Sequence, residues 1–319
     1  MKKILVTGGS GLVGNGIKSV EQFFSNEYEF VYVSSKDYNL CDIQDTQQMF
    51  ANIKPNYLIH LAANVGGLYK NMNHKVDMLE KNLMINFNVI KCAHDFKVEK
   101  LIACLSTCIF PDKVEYPIDE SVLHNGPPHF SNDAYAYAKR MLEVHCRTYR
   151  ENYGDKFYCI IPTNIYGPHD NFDLEDGHVL PALIHKCYLA KEKNVDFVVR
   201  GSGKPLRQFI YSHDLALLIM FVLKKFEDGN VILSVSENDE ISIGHVARFI
   251  AKSFGYEDRM VFDTSFADGQ FKKTVSNTKL LEFLGGVFEF TPIEEGIKQT
   301  VDWFILSKNQ NKEVNNERK

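Results

Sequence analysis

Tyr135 and Lys139 stand four positions apart in Tyr135-Ala-Tyr-Ala-Lys139, within a chain of 319 residues. The surrounding segment has a helical pattern, and residues i and i+4 of a helix share one face. A lysine one turn from a tyrosine favours the phenolate by charge and makes the hydroxyl a usable acid near neutral pH. The spacing alone is not diagnostic, because Tyr32 and Lys36 repeat it on a strand and its end. The helical setting selects the second pair, and Tyr137 points away from it and is expected to pack. Ser106 follows a predicted strand. It can bring a second hydroxyl to the same carbonyl oxygen, since open α/β sheets bind ligands at the carboxyl ends of their strands.

A second constellation lies at the beginning of the chain. Gly8, Gly9, Ser10, Gly11, Leu12, Val13 and Gly14 connect the first predicted strand to the first predicted helix, with GxxGxxG spacing over Gly8, Gly11 and Gly14. Such glycines permit a tight turn, let the backbone approach a pyrophosphate and allow close helix packing, while the helix N-terminus offers free N–H groups to the anion. A nicotinamide dinucleotide is the expected cofactor. An NAD site places Asp or Glu about 20 residues beyond the glycines, on the ribose 2′-hydroxyl. Here the second strand runs into Ser34-Ser-Lys36, with no acid before Asp37. A lysine and two hydroxyls suit a 2′-phosphate, so the reading is NADP(H), with Lys36 as its contact.

These groups need a scaffold. Strand signals at Lys3–Thr7, Glu29–Val33, Tyr57–Ala62, Leu101–Leu105 and Phe157–Ile161 alternate with helix-length segments such as Asp77–Phe96 and Asn132–Tyr153. That alternation predicts an α/β fold, a doubly wound Rossmann-type parallel sheet, with a smaller C-terminal substrate lobe. Residues 1–165 with about 206–236 are expected to form the NADP-binding domain. About 166–205 and 237–307 form the substrate lobe, and 308–319 a polar tail. Thr291-Pro-Ile-Glu294 reads as an N-cap with a capping-box glutamate, opening a helix that runs through Trp303.

Composition limits the classes of function. Hydrophobic residues make up 45% and charged residues 24%, and 36 Lys plus Arg against 41 Asp plus Glu give −5, which excludes a nucleic-acid-coating protein. The longest apolar run, Leu215–Leu223, is about half the roughly 20 residues of a membrane span, and Gly8 and Gly9 interrupt the apolar start too early for a signal peptide. Seven cysteines without CxxC spacing point to reduced thiols in the cytoplasm, not to disulfides or a metal site.

The glycine turn, His60-Leu-Ala-Ala63, Ser106 and the Tyr135/Lys139 pair together resemble the extended short-chain dehydrogenase/reductases. The likeness narrows to the GDP-L-fucose synthases at Leu105-Ser-Thr-Cys-Ile-Phe-Pro111, His124–Pro128, Ile161–Phe172, Asp176-Gly-His-Val-Leu-Pro181, Arg207–Ser212 and Asp268–Lys273. It covers the chain except its polar tail. The resemblance implies NADPH-dependent 3,5-epimerisation and 4-reduction of a GDP-linked 4-keto-6-deoxy sugar. A ketone at C4 acidifies the hydrogens at C3 and C5, and by the resemblance Cys108 and His178 are the acid/base pair that moves those protons. A thiol beside a positive charge and an imidazole both exchange protons near pH 7.

The same resemblance implies that Tyr135 and Ser106 hold the enolate oxygen and that Lys139 also holds the nicotinamide ribose. Leu61, Ala62, Ala63, Pro162, Thr163, Asn164, Ile165 and His178 would line the cofactor. Lys186 and Arg207 would bind the diphosphate, and Asp268 a sugar or ribose hydroxyl. A homodimer is implied, through helices including Asp77–Phe96 and Asn132–Tyr153. Arg200 departs from the family, which commonly has tryptophan there. A 4,6-dehydratase needs a carboxylate directly after the catalytic hydroxyl, where Thr107 and Cys108 stand. A UDP-hexose 4-epimerase typically has an acid after the second strand. A non-catalytic NADPH-binding protein often lacks the tyrosine or lysine that this chain keeps.

Overall fold

The structure, a computed structural model, describes residues 1–266, 268 and 270–317. Five of its strands follow the apolar runs read from the sequence: β1 Lys2–Thr7, β2 Tyr28–Val33, β3 Tyr57–His60, β4 Lys100–Cys104 and β5 Phe157–Pro162. With the strand Asn230–Leu233 they form one six-stranded sheet, in the order Asn230–Leu233, β5, β4, β3, β1, β2, parallel throughout. β4 and β5 are buried along their whole length, as expected where helices cover both faces of a parallel sheet.

Strand alternation sorts the core into two layers. Leu5, Leu58, Leu101, Ala103 and Phe157 face one side, packed with Met49, Phe50, Val89 and Leu142. These last residues come from helices α2 Ile43–Ile53, α4 Lys75–Asp95 and α5 Asp133–Tyr153; the short α3 Leu68–Asn73 precedes α4. Ile4, Val6, Ile59, Ile102 and Ile160 face the other side, against Ile17 of α1 Leu12–Val20 and Leu215 and Ile219 of the later helix Ser212–Lys225. Cys92, Cys146 and Cys159 are buried core residues.

A third apolar cluster holds the later part of the chain together. Leu183 and Ile184 of α6 Val179–Glu192, Val246 and Ile250 of the helix Ile243–Phe254, and Ile297, Val301 and Phe304 of the C-terminal helix converge on Phe197 and Val199. The strand Phe197–Arg200 pairs in parallel with Met260–Asp263.

The C-terminal helix bears out one expectation, running through Trp303 and beyond, and corrects another at its start. The C-terminal helix begins at Ile293 and continues to Glu317, so it passes Trp303 and includes most of the polar run after Lys308. Its start is not a capping box: the Thr291 backbone N–H and hydroxyl both donate to the buried Asp214 carboxylate, at 2.7 and 2.9 Å, and Glu294 pairs with Lys252. A buried carboxylate needs donors more than a helix end does. Among the described residues, no helix is long and apolar enough to cross a membrane.

Candidate active site

The glycine turn is built by close contact. Gly8 has φ +71°, and a Cβ there would lie 2.8 Å from the Ala62 nitrogen; a Cβ on Gly14 would lie 2.6 Å from Gly9 Cα. Gly9 donates its N–H to the Val33 carbonyl at 2.9 Å, tying the turn to the end of β2. Gly11 precedes α1 in extended conformation, and the first N–H groups of that helix stand at the mouth of the turn, where an anion is favoured.

Behind the turn runs a buried chain of hydrogen bonds. The Ala62 N–H donates to Thr7 Oγ1 at 3.3 Å; Thr7 Oγ1 meets His60 Nδ1 at 2.8 Å, and His60 Nε2 meets Asn86 Oδ1 at 3.1 Å. Burial first, and the Lys139 charge second, push the His60 imidazole down to about 3. It is therefore a neutral bridge between Thr7 and Asn86. The sequence reading used His60 as part of a motif and gave it no role.

The turn opens into a cavity of about 740 Å³. Its wall includes Gly8, Ser10, Gly11, Leu12, Val13, Gly14, Leu61, Ala62, Ala63 and Pro162–Ile165, together with Ser106, Tyr135, Lys139 and His178. Gly9 is not on the wall; it packs beneath, where a Cβ would meet Tyr32 Cβ at 2.7 Å. At the end of β2 the wall is formed by Ser34 and Ser35. Lys36 is exposed beside them. The Asp37 carboxylate is turned back onto Ser34, accepting from its N–H and its hydroxyl at 2.8 Å each.

Tyr135 and Lys139 share one face of α5 and reach the cavity together, as i and i+4 residues should. The expected effect of the lysine on the phenol is overturned. Lys139 Nζ donates to the Cys104 carbonyl at the end of β4, at 2.7 Å, and lies 5.8 Å from the Tyr135 ring centre. Burial dominates, and the Tyr135 phenol is held well above its ordinary value. Lys139 itself is pushed down by burial. Tyr137 is another correction. It does not pack in the core; it is exposed, with the Arg140 guanidinium 5.7 Å from its ring centre.

Ser106 caps a short 3₁₀ turn, Thr107–Ile109, accepting from the Cys108 N–H at 3.4 Å. Cys108 sits inside that turn, buried and off the cavity wall, beside Ser106, Lys139 and Lys273. Its thiol was expected to fall beside a positive charge. Burial outweighs the neighbouring Lys273 and Lys139 charges, and the thiol is raised. His178 stands at the start of α6, open to the cleft, and the surrounding protein displaces enough hydration to lower its imidazole.

The three residues expected to bind substrate lie off this wall. Arg207 donates to the Leu206 and Gln270 carbonyls at 2.6 and 2.7 Å. Asp268 accepts from the Ser202 N–H and hydroxyl at 2.8 and 2.6 Å. Lys186 on α6 is lowered by burial and then by the charge of Arg200, whose guanidinium stacks 4.5 Å from the Phe266 ring centre. Asp170 was not anticipated. It lies on the cavity wall with one carboxyl oxygen buried and unpartnered, and burial raises it to about 7. A lone Asp in a loop gives no signal of this in sequence.

Residues 4–238 match the NAD dependent epimerase/dehydratase family model. Over 306 residues the chain is 53% identical to a GDP-L-fucose synthase of Dictyostelium discoideum, covering 95% of each chain. It is 47% identical to a probable GDP-L-fucose synthase of Drosophila melanogaster, covering 97% of this chain and 99% of that one. The crystal structure of a GDP-L-fucose synthetase from Naegleria fowleri bound to NADP superposes with a TM-score of 0.92 at 52% identity, over 97% of this chain and 94% of that one. The chain belongs to the NAD dependent epimerase/dehydratase family, among its GDP-L-fucose synthases.

Proposed function

We propose that this protein converts GDP-4-keto-6-deoxy-D-mannose to GDP-L-fucose, by epimerisation at C3 and C5 followed by NADPH-dependent reduction at C4. The observation that carries the reading is a single cavity with a dinucleotide-type glycine turn at one end and Ser106, Tyr135, Lys139 and His178 on its wall, in a chain about half identical to GDP-L-fucose synthases. The residues present fit a nicotinamide dinucleotide. Gly8 and Gly14 let the turn close tightly, since a Cβ at either would strike the backbone of Ala62 or Gly9, and the N-terminus of α1 faces the place of the pyrophosphate. Ser34, Ser35 and Lys36 would hold a 2′-phosphate, while Asp37 is occupied by Ser34. When bound, the cofactor supplies hydride at C4.

The protein's own groups do the rest. Ser106 and Tyr135 donate to the C4 oxygen and stabilise the negative charge that develops there when a proton leaves C3 or C5. Cys108 and His178 move those protons. With the thiol raised and the imidazole lowered, one member of the pair holds a proton at neutral pH while the other can accept one. In the reduction Tyr135 gives its proton to the C4 oxygen, while Lys139, anchored on the Cys104 carbonyl, is read as a contact to the nicotinamide ribose. The high phenol pKa suits a group that must keep its proton until that step.

Lys186, Arg207 and Asp268 are read as contacts to the nucleotide sugar, on the second lobe formed by about 166–205 and 237–307. Their present partners, two backbone carbonyls and one serine, would be exchanged on binding. The protein is read as a cytoplasmic homodimer. Val76, Met84 and Phe87 form an exposed stripe on α4, next to exposed Tyr137 and Met141 on α5, and Phe87 stacks on His145 between the two helices. Exposed apolar side chains on two packed helices are what a two-fold helix-pair interface would cover.

One reaction tests the function: purified protein, NADPH and GDP-4-keto-6-deoxy-D-mannose in D₂O, with the product examined by NMR. Deuterium at C3 and C5 with an L-fucose configuration is expected. Reduction without deuterium would reduce the activity to a 4-reductase and remove the roles given to Cys108 and His178.

A further inference from the structure

We propose that Arg140 is a positioning residue for Cys108: it fixes the turn that carries the thiol and places an uncompensated positive charge beside it. This rests on the reading of Cys108 as a proton-transfer group.

The geometry begins with the turn itself. Its internal hydrogen bonds are long: Cys108 N–H to Ser106 Oγ at 3.4 Å, Ile109 N–H to the Ser106 carbonyl at 3.2 Å, and Phe110 N–H to the Thr107 carbonyl at 3.3 Å. By contrast, Arg140 Nε donates to the Ile109 carbonyl at 2.6 Å, a short bond strengthened by charge. The contact that pins the turn therefore comes from α5, the helix that also carries Tyr135 and Lys139. One element thus sets the thiol, the phenol and the ammonium relative to each other.

A second observation points to a role for the charge. Arg140 is 7% exposed, and its Nη2 is buried without a partner. Among the described residues, no carboxylate lies within ion-pair distance of its guanidinium. A buried cation without a counter-charge is costly, and a neutral amide would serve if the task were only to hold the Ile109 carbonyl. The acidic group facing the guanidinium, besides the Tyr137 phenol, is Cys108. Lys139 on α5 and Lys273 on the returning chain face the thiol as well, with Tyr135 and the Ser106 hydroxyl. Asp112 lies near Lys273. Lys273 and Lys139 thus face the thiol directly and the Arg140 guanidinium shares its surroundings, so the thiolate formed when Cys108 gives up its proton would add a negative charge among them, beside that of Asp112.

The test compares R140Q, which removes the charge and keeps a donor, with R140K, which keeps the charge. The pH dependence of iodoacetamide labelling of Cys108 is followed peptide by peptide by mass spectrometry, with Cys41 as the internal reference. The Cys108 midpoint should rise by about one unit or more in R140Q, making labelling about tenfold slower at a fixed pH below it. R140K should stay near the wild-type midpoint, and NADPH affinity should be unchanged in both. Deuterium incorporation at C3 and C5 should fall with the R140Q shift. An R140Q midpoint equal to wild type, or an R140K midpoint displaced as far as that of R140Q, overturns the proposal. If R140Q does not fold, R140K is read alone: a Cys108 midpoint raised by about one unit or more although the charge is kept overturns the proposal. C108S separates the two readings: retained deuterium incorporation in C108S sinks the role of Cys108, whereas its loss, with an unmoved midpoint in R140Q, sinks the role of Arg140 alone.

Discussion

Replacing Gly14 by alanine should damage the protein although Gly14 lies inside a helix, where Gly→Ala normally stabilises by about 0.5–1 kcal/mol. The new Cβ would stand 2.6 Å from Gly9 Cα and 2.7 Å from the Gly9 carbonyl carbon and oxygen. That is roughly 0.8 Å short of ordinary contact, and overpacking of this kind costs about 1–3 kcal/mol. The obstructing atoms are backbone, so no side-chain rotation relieves the clash, and Gly9 is itself fixed by its bond to Val33. If the turn stays closed, the strain should lower the Tm by about 2–6 °C. If the turn opens, closing it again on binding should weaken NADPH by about 5- to 150-fold. Gly11→Ala is the control. Its Cβ would meet only the Gly8 carbonyl oxygen, at 3.4 Å, so its Tm should stay within about 2 °C, with any loss confined to cofactor affinity. Differential scanning fluorimetry and NADPH fluorescence titration read both quantities. A Gly14→Ala protein with wild-type Tm and wild-type Kd would refute the reasoning, because one of the two must absorb the clash.

Three further outcomes are expected. Tyr135→Phe should lower C4 reduction by about 10²-fold or more while leaving the NADPH Kd within twofold; near-normal turnover would remove Tyr135 as proton donor. Asp170 is raised to about 7, so the folded protein keeps a proton that the unfolded chain releases near pH 4, and stability must fall as pH rises through that window. The loss reaches up to about 4 kcal/mol above pH 7. Asp170→Asn should flatten this slope in urea unfolding at pH 5 and pH 8, and an unchanged slope would show that the carboxyl ionises freely in the fold. Lys36→Ala should raise the Kd for NADPH by up to about fivefold, the scale of an exposed ion pair, and leave NADH unaffected; equal changes would mean that Lys36 does not read the 2′-phosphate.

Several parts of this protein are determined locally and could be read from the chain. A glycine turn between an apolar strand and a helix is a matter of neighbouring residues, and so is the common face of Tyr135 and Lys139 on α5. The strands β1 to β5 lie within two residues of their predicted positions, because long apolar runs bounded by turn residues can only be buried. Legible too was the family, through motifs that carry their chemistry in short segments.

What the fold alone decided concerns partners distant in sequence. Lys139 was expected to act on the phenol one turn away, yet its ammonium binds the Cys104 carbonyl, 35 residues earlier. A strand end exposes carbonyls that only packing brings to the helix. Thr291 had a local use as a cap, and the buried Asp214, 77 residues earlier, claimed it instead. The same holds for Arg140 on Ile109, for the thiol of Cys108 and for the orphaned oxygen of Asp170. The pKa of a buried group is set by what the fold removes, its water, and by charges brought from elsewhere in the chain. Neither quantity is a property of a residue and its neighbours in sequence.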